Sequence, residues 1–526
     1  MTRARVATLL AGFCLGCGGG ELREDAALDG ITADAVRAHV TFLGDDLLEG
    51  RGTASRGHEL AARYVAAHFE SMGLEPAGTD GTFFQRIRFR TATVVPEESS
   101  FTVTRDGNEQ SLTWGSDFVM GADARAETST VAGPVVFVGQ GITAPDVGVD
   151  DYETVDVAGK VIAFVTGAPE ALSSEERAHH GRTRTKLDNA LAHGAVGAIQ
   201  LSGAGSGLGG GRRPSMTWLD EDGLPLGRET DVRTLAALSE SGAMKLLGGL
   251  PLPDGPAELS VTISAHTTSV HGEVTSPNVA AMARGSDPEL RDEYIVYSAH
   301  LDHIGIGRPV DGDSIYNGVT DNAGSIGMLI EAARAFTRLE PAQRRSIVFV
   351  AVTGEERGLL GSDYYAANPT VPGPQIVANL NMDGSNLLFD FLDVVDIGGE
   401  HSTLGDVFER AAARLGVEAV ADPTPEQNFF VRSDHYSFVR RGIPALFPMT
   451  GTRAVDPAID GAQMQADRFA NRYHLPSDDL SRALDFNAGA KTAKFFFLLG
   501  YIASQDDDPP RWHEGDFFGE TFGRGN

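Results

Sequence analysis

Cysteine is scarce in this 526-residue sequence, which has only Cys14 and Cys17, both close to its N-terminus. The body of the chain can therefore form no internal disulfide, and its stability must come from a buried core. Long apolar runs are also missing. A membrane-spanning helix needs about 20 apolar residues, and no segment beyond the N-terminal stretch offers that length without charges.

Basic residues are few relative to acidic ones. The chain has 43 Lys and Arg residues against 73 Asp and Glu residues, which gives a net charge of -30. Such a charge repels nucleic-acid phosphates, so nucleic acid is excluded as a partner. The acidity by itself indicates only a soluble surface.

The N-terminal run MTRARVATLLAGFCLGC combines a short basic region, an apolar stretch and small residues. This order is typical of a signal peptide, which predicts that residues 1–17 direct export. Its end resembles a bacterial lipoprotein signal, in which the cysteine carries the lipid, although Cys14 stands where such signals usually have Leu. We expect a secreted protein or a bacterial cell-envelope lipoprotein that contacts the membrane only through a lipid on Cys17.

The rest of the sequence divides by its hydrophobic pattern. Apolar residues recur at helical spacing over 32–48 and 56–72, which predicts two helices. Residues 127–265 alternate Gly-rich connections with short strands, which indicates a domain inserted into a larger one. Over about 276–505, continuous apolar strands such as EYIVYSA and RRSIVFVAVT flank an amphipathic helix, as in an α/β sheet. Residues 506–526 are predicted to form a disordered tail.

Acidic residues and histidines fall where these strands end. In an open α/β sheet the C-terminal strand ends meet at one edge, so residues distant in sequence come together there. His300 and Asp302 follow the first strand and share a face, which suits a metal-binding His whose second ring nitrogen donates to a carboxylate. The full set of candidates is His300, Asp302, Asp321, Glu355, Glu356, Asp383 and His474.

Most of these residues have a simpler explanation when each is taken singly. His300 and Asp302 alone would be surface residues, and Asp321, before a helix, would be a cap. The pair Glu355 and Glu356 is harder to explain, because it directly follows a buried strand and adjacent side chains diverge. One of the two can then bind a metal while the other faces an attacking water. Five nitrogen and oxygen ligands with a further carboxylate beside them suit two zinc ions.

Six segments match, in order, signature segments of the co-catalytic dinuclear zinc aminopeptidases: SAHLDH, NGVTDNAGS, TGEERGLLGS, NLNMD, RSDHYSF and RYHLPSDD. The chain thus resembles a family that also includes glutamate carboxypeptidases, glutaminyl cyclases and the transferrin receptor. The resemblance implies an α/β zinc-peptidase fold with a mixed, mostly parallel central sheet flanked by helices. Residues 29–126 and 266–505 would form the catalytic domain, and residues 127–265 resemble the protease-associated domain that is inserted in such proteins.

The resemblance also implies two zinc ions and five ligands to them, His300, Asp321, Glu356, Asp383 and His474. Asp321 would bridge the ions. His300 and Asp383 would belong mostly to one ion, and Glu356 and His474 to the other, although this pairing stays open. A strained or cis peptide bond between Asp321 and Asn322 is implied as well.

Catalytic roles follow from the same resemblance. Glu355 would be the general base, and Asp302 would orient the metal-binding histidine that precedes it. Many relatives carry a tyrosine where this chain has Val431, so a phenol from that position is missing. Tyr473 is our candidate for polarising the substrate carbonyl, with simple packing of its ring as the alternative.

These features together predict a zinc-dependent exopeptidase that hydrolyses peptides through a two-metal-activated water, most readily an aminopeptidase releasing N-terminal residues. A carboxypeptidase of the same fold would share every metal ligand and stays open. A glutaminyl cyclase would use a subset of the ligands, and a non-catalytic receptor would have lost ligands or the base. The sequence assigns neither a side-chain preference nor an oligomeric state.

Overall fold

The structure, a computed structural model, describes residues 21–202, 208, 214–226, 235–384 and 386–524. The predicted signal peptide and its lipidation site, Cys17, lie outside the described residues. Within the described residues, no helix is both long enough and apolar enough to cross a bilayer.

The two helices predicted near the N-terminus are present. Each begins at a side-chain cap, because Thr32 accepts a hydrogen bond from the backbone N–H of Ala35 and Ser55 accepts one from that of His58. The elements of this region are α1 (Glu21–Asp29), α2 (Ala33–Leu43), α3 (Arg56–Ser71), β1 (Glu75–Pro76) and β2 (Phe84–Val94).

The middle of the chain consists of short strands and short helices, followed by one long strand. The short elements are β3 (Ser100–Arg105), β4 (Asn108–Ser111), β5 (Phe118–Met120), β6 (Thr128–Phe137), β7 (Thr143–Ala144), β8 (Val149–Asp150), β9 (Val161–Val165), α4 (Ser174–His180), α5 (Thr183–Ala192), β10 (Gly197–Leu201), β11 (Ser215–Trp218), β12 (Leu235–Leu238) and α6 (Glu240–Leu247). The long strand is β13 (Ala257–Ala283). It links two sheets, because its first half pairs with β3 and β6 and its second half pairs with β2.

The second sheet, as we call it, is formed by β3, β4, β5, β6, β9, β10, β12 and the first half of β13. Its core includes Phe101, Val135 and Ile263. The chain enters this sheet at β3, before the boundary that the sequence predicted after residue 126, so that boundary is corrected. β11 lies within the predicted insertion but pairs with β2, outside the second sheet.

The C-terminal half supplies the remaining elements. They are β14 (Tyr294–His300), β15 (Gly305–Val310), β16 (Asp313–Tyr316), α7 (Gly324–Phe336), β17 (Ser346–Val352), α8 (Leu360–Ala367), β18 (Ile376–Asn381), β19 (Asp393–Asp396), α9 (Leu404–Leu415), β20 (Glu418–Ala421), α10 (His435–Val439), β21 (Ala445–Leu446), β22 (Met449–Thr450), α11 (Gly461–Asn471), α12 (Phe486–Gln505) and α13 (Phe517–Phe522).

The main sheet has the spatial order β2, β13, β17, β14, β18, β21. β17, β14, β18 and β21 run parallel, whereas β13 pairs antiparallel with both of its neighbours. The predicted α/β class with a mixed, mostly parallel sheet is confirmed. Every residue of β14 and β17 is buried, as their continuous apolar sequences predicted.

Helices cover both faces of the main sheet. On one face, Ile295 and Tyr297 of β14 belong to a core shared with α2, α3, α7, α9 and α12. On the other face, Val296 packs with Tyr365 of α8 and Phe438 of α10. Because both faces are covered, the polar residues at the strand ends are left at the edge of the sheet, where a site can form.

Residues 506–524 pack onto the rest of the chain, which corrects the prediction of a disordered tail at 506–526. Phe518 of α13 is completely buried, with its ring centroid 4.9 Å from that of Phe430. The Trp512 indole donates a hydrogen bond to the carbonyl of Gly442 at 3.1 Å. The aromatic residues of this segment outweigh its acidic composition, because burying them stabilises the packed state.

Candidate metal centre

Three parallel strands of the main sheet end at the site. β14 ends at His300, Glu356 follows β17, and Asp383 follows β18. Asp321 is placed at the same edge by the turn before α7, and His474 by the loop after α11. The structure therefore brings all five predicted ligands to one edge of the sheet.

The first cluster contains His300, Asp321 and Asp383, whose ligand atoms lie within 4.8 Å of one another. His300 Nε2 is 3.1 Å from Asp321 Oδ1 and 3.2 Å from Asp383 Oδ1. One imidazole nitrogen and two carboxylate oxygens thus point at a common position. This is a donor set that zinc accepts.

The second cluster uses the other oxygen of Asp321. His474 Nε2 lies 3.3 Å from Asp321 Oδ2 and 3.4 Å from Glu356 Oε2. Asp321 therefore presents one carboxylate oxygen to each cluster, as a bridging ligand does. His300 thus lies beside Asp383, and His474 lies beside Glu356.

His303 is a further donor at the second cluster, and the sequence had not singled it out. Its ring is fully buried, and Nδ1 lies 2.6 Å from Glu356 Oε1. His303, Asp321 and Glu356 also place their ligand atoms within 4.8 Å of one another. The signal that the sequence offered was a second histidine at the end of the segment SAHLDH, three residues after His300. This histidine lies beyond the end of β14, so strand alternation does not predict which way its side chain points.

The two clusters fit a pair of zinc ions. Asp321 Oδ2 and Glu356 Oε1 are buried, and their neighbours are imidazole nitrogens, that of His474 at 3.3 Å and that of His303 at 2.6 Å. Buried carboxylates are costly unless positive charge compensates them, and cations at this position would do so. The donors are imidazole nitrogens and carboxylate oxygens throughout, which zinc binds readily.

Ionisation of the ligands is strongly perturbed. Burial alone would raise the pKa of Asp321, but hydrogen bonds from His300 and His474 bring it well below its ordinary value. Burial would likewise raise the pKa of Glu356, and hydrogen bonds from His303 and His474 lower it to about 2. Both carboxyl groups are therefore held as carboxylates, the form that binds a metal.

Glu355 lies beside the clusters without belonging to either. It lines the same cavity as Asp321 and Asp383. Burial raises the pKa of Glu355 well above its ordinary value, with the charge of Asp383 adding to the effect and that of His300 opposing it. A carboxyl group with a raised pKa that lines the same cavity as the ligands, but belongs to neither cluster, is suited to proton transfer.

Asp302 plays a different part from the one that the sequence suggested. His300 Nδ1 is hydrogen-bonded to the backbone carbonyl of Asp302 at 3.0 Å, so the predicted contact with its carboxylate is corrected. The carboxylate instead accepts from Thr53 Oγ1 at 2.7 Å and from the backbone N–H of Glu355 at 3.2 Å. Asp302 thus fixes the ring of His300 through its backbone and the start of the Glu355 turn through its side chain.

Asp478 holds the turn that carries Asp321. Its carboxylate accepts hydrogen bonds from the backbone N–H and hydroxyl of Thr320 at 2.9 Å and from the backbone N–H of Asp321 at 3.2 Å. The peptide bond between Asp321 and Asn322 is cis, as the family resemblance implied. Sequence reasoning missed Asp478, although it stands within the segment RYHLPSDD.

Asp383 is oriented by a similar support. Ser433 Oγ donates to Asp383 Oδ2 at 2.5 Å, and Asn381 Nδ2 donates to Ser433 Oγ at 2.8 Å. Both supporting residues are buried. Such contacts fix the direction of a ligand carboxylate before a metal arrives.

Tyr473 faces the cavity beside the last ligand. Its ring stacks on that of His474, with 3.8 Å between centroids, and it lines the cavity together with Glu355. Burial raises the pKa of Tyr473, and nearby carboxylates such as Asp321 raise it further, so the phenol keeps its proton. Val431 is buried away from the cavity.

The model of a known protein family matches the part of the chain that carries the site. Residues 278–499 match the model of "Peptidase family M28". Over these residues the chain is similar to that family. The matched stretch contains all five metal-ligand candidates and Glu355.

Two curated relatives are similar to parts of the chain. "Probable leucine aminopeptidase 2" of Aspergillus fumigatus is 28% identical over 295 residues, which are 52% of this chain and 55% of that protein. "Leupeptin-inactivating enzyme 1" of Streptomyces exfoliatus is 29% identical over 244 residues, which are 44% of this chain and 50% of that protein. The chain thus matches about half the length of these curated relatives.

The fold is shared with a solved structure, "Aminopeptidase from Aneurinibacillus sp. strain AM-1". The similarity has a TM-score of 0.52 at 18% sequence identity and covers 93% of this chain and 99% of that chain. At this level of identity, the similarity shows the common fold alone.

Replacing Asp478 by Asn should weaken metal binding by about 10- to 100-fold. The amide would turn a donor toward the N–H groups of Thr320 and Asp321, so the turn carrying the bridging carboxylate would lose its support. Zinc affinity is measured by competition with a chelator of known affinity. Asp479→Asn is the matched control, since Asp479 accepts hydrogen bonds from Ser481 instead; equal affinities for both variants would contradict the assigned role.

Proposed function

We propose that this chain is a zinc-dependent exopeptidase and, specifically, an aminopeptidase that releases N-terminal residues from peptides. The observation that carries the proposal is the pair of ligand clusters that share Asp321, with Glu355 beside them in one cavity. The similarity of residues 278–499 to Peptidase family M28 also supports peptide hydrolysis.

The metal would be held by the chain's own residues in two groups. His300 and Asp383 would hold one zinc ion, Glu356 and His474 the other, and Asp321 both. When bound, such a pair of ions supplies Lewis-acid activation of water and of a carbonyl oxygen.

The proton transfers fall to Glu355. Its carboxylate would accept a proton from the attacking water and then pass that proton to the leaving amine. The backbone of Glu355 is held by Asp302, so its side chain is placed at the cavity while Glu356 turns to the ligand cluster. Tyr473 would donate a hydrogen bond to the scissile carbonyl as negative charge develops on its oxygen.

An aminopeptidase is supported over its rivals. Relatives named as leucine aminopeptidases support it against a carboxypeptidase. A full set of ligands with the base retained argues against a non-catalytic receptor and against a glutaminyl cyclase, which would need only part of the set.

We also propose where the protein is located and what kind of domain the inserted segment forms. The basic, apolar and small residues of the N-terminal run support export, as a secreted protein or as a lipoprotein anchored through Cys17. Along the chain, the second sheet lies between β2 and the second half of β13, which both belong to the main sheet. This position supports an inserted protease-associated domain, which the sequence of this segment resembles.

Replacing Glu355 by Ala should leave zinc binding intact and lower turnover by about 100- to 10,000-fold. The reason is that the variant keeps every ligand but has no group to move the proton. Zinc content by elemental analysis and hydrolysis of a leucyl amide are measured on the same sample. Asp321→Ala is the companion variant and should lose zinc as well, whereas near-normal turnover in Glu355→Ala would overturn the role of the base.

Free and N-acetylated peptides of the same sequence test the exopeptidase polarity. An aminopeptidase should cleave the free peptide and leave the blocked one intact, because the α-amine is part of what it recognises. Cleavage should stop with chelator and return when zinc is restored. Preferential loss of the C-terminal residue from the blocked peptide would instead show a carboxypeptidase.

A further inference from the structure

The cavity next to the ligand clusters has a mixed wall. One part of it is apolar or aromatic and is formed by Phe429, Phe447, Met449, Phe469 and Tyr473, and another part is formed by metal-ligand candidates and Glu355. Two arginines, Arg432 and Arg468, also line it. The carboxylates of Asp321, Glu355 and Asp383 line the same cavity, so the two arginines place positive charge directly beside the candidate metal ligands.

Arg468 is held as a buried cation. It lies on α11 and is only 5% exposed. Its Nε donates to Thr320 Oγ1 at 3.1 Å, and its guanidinium carbon is 5.1 Å from the centroid of the Phe469 ring. Among the residues that the structure describes, Arg468 makes no ion pair with an Asp or Glu. The charge of Arg468 acts on the buried carboxylate of Asp478, whose pKa it lowers against the effect of burial. No carboxylate within the described part of the chain pairs with the guanidinium directly, so the guanidinium can still bind a carboxylate from outside the chain.

The terminal nitrogens of the Arg468 guanidinium lie beside Gly384, which lines the same cavity. A Cβ atom at this glycine would lie 3.5 Å from Arg468 Nη2 and 3.8 Å from Nη1. Gly384 has a φ of +65° and directly follows Asp383, a ligand of the first cluster. A side chain at position 384 would therefore contact the two terminal nitrogens, which lie next to the metal ligands.

The carboxylate of Asp478 does not pair with this guanidinium directly. Asp478 reaches Arg468 only through the hydroxyl of Thr320, which donates to Asp478 at 2.9 Å and accepts from Arg468 Nε. Within the described part of the chain, the hydrogen bond of the Arg468 side chain uses Nε, so both Nη atoms are available to a ligand in the cavity. Arg432, at its rim, is exposed, and its guanidinium carbon is 5.3 Å from the centroid of the Phe429 ring.

We propose that Arg468, with the space left by Gly384, is a specificity-determining residue that binds a substrate carboxylate close to the cleaved bond. This inference rests on the proposed peptidase function and names its substrate class: peptides that carry a carboxylate on, or one residue beyond, the N-terminal residue. The carboxylate comes either from an acidic N-terminal side chain or from the α-carboxyl end of a dipeptide. A guanidinium fork binds both in the same bidentate way.

Two matched substrate pairs distinguish these sources in the wild-type enzyme. Glutamyl and glutaminyl anilides differ only in the charge of the N-terminal side chain, while a dipeptide and its C-terminal amide differ only in the α-carboxylate. We expect kcat/KM for the charged member to be higher by about tenfold or more in one of the pairs, the size of effect that a charged hydrogen bond gives. The absence of a preference in both pairs would overturn the proposal.

Variants then connect the preference to Arg468. Arg468→Gln should remove the preference while Arg468→Lys keeps part of it, since Lys retains the charge without the fork. Arg63→Gln, a change on the exposed face of α3, is the control and should leave the preference unchanged. A role confined to supporting Thr320 would instead lower kcat/KM for charged and neutral substrates alike, and a preference that survives in Arg468→Gln would overturn the assignment.

The wild-type comparison separates this inference from the function on which it rests. Cleavage of leucyl anilide without any preference for carboxylates would overturn only the role of Arg468. No cleavage of any unblocked substrate after loading with zinc would overturn the peptidase proposal itself. Neither outcome depends on whether the Arg468 variants fold.

Discussion

The carboxylate of Asp321 faces two sets of side chains at once, and the arrangement of the site depends on this. One oxygen lies beside His300 and the other beside His474. A buried carboxylate is costly unless positive charge or hydrogen bonds compensate it on both sides. The surrounding turn is correspondingly well supported, because Asp478 binds the two N–H groups that fix its direction.

The main sheet explains how ligands so distant in sequence can meet. Its parallel strands are buried on both faces, so the chain can expose polar groups only where the strands end. The segment that carries Arg432 and Ser433 is contacted by the middle of the chain. Arg182 donates to the carbonyl of Val431, and His179 is hydrogen-bonded to the hydroxyl of Tyr436 at 2.6 Å. These contacts help to position the residues of this segment that line the cavity.

Much of the site could be predicted from the sequence, because its ligands lie in short segments whose order is typical of one family. Buried strands were equally visible, since EYIVYSA and RRSIVFVAVT have no polar face. What escaped prediction depends on contacts between distant segments. The direction of His303, the use of the Asp302 backbone instead of its carboxylate, and the support from Asp478 are all set by tertiary packing.

The two corrections to the chain's organisation have the same cause. β3 has the alternating pattern of any half-buried strand, β4 is entirely polar and β5 has only three residues, so none of the three sequences says which sheet its strand joins. The C-terminal segment looked disordered by composition, yet Phe518 finds a buried position that only the folded neighbours create. Local sequence gives the type of an element, whereas its partner depends on the rest of the fold.

Crystals of the zinc-loaded protein, with anomalous diffraction collected on both sides of the zinc absorption edge, test the central claim most directly. Two zinc peaks are expected, one beside His300 and Asp383 and one beside Glu356 and His474, with Asp321 in contact with both. A single peak, or two peaks of which only one contacts Asp321, would contradict that claim.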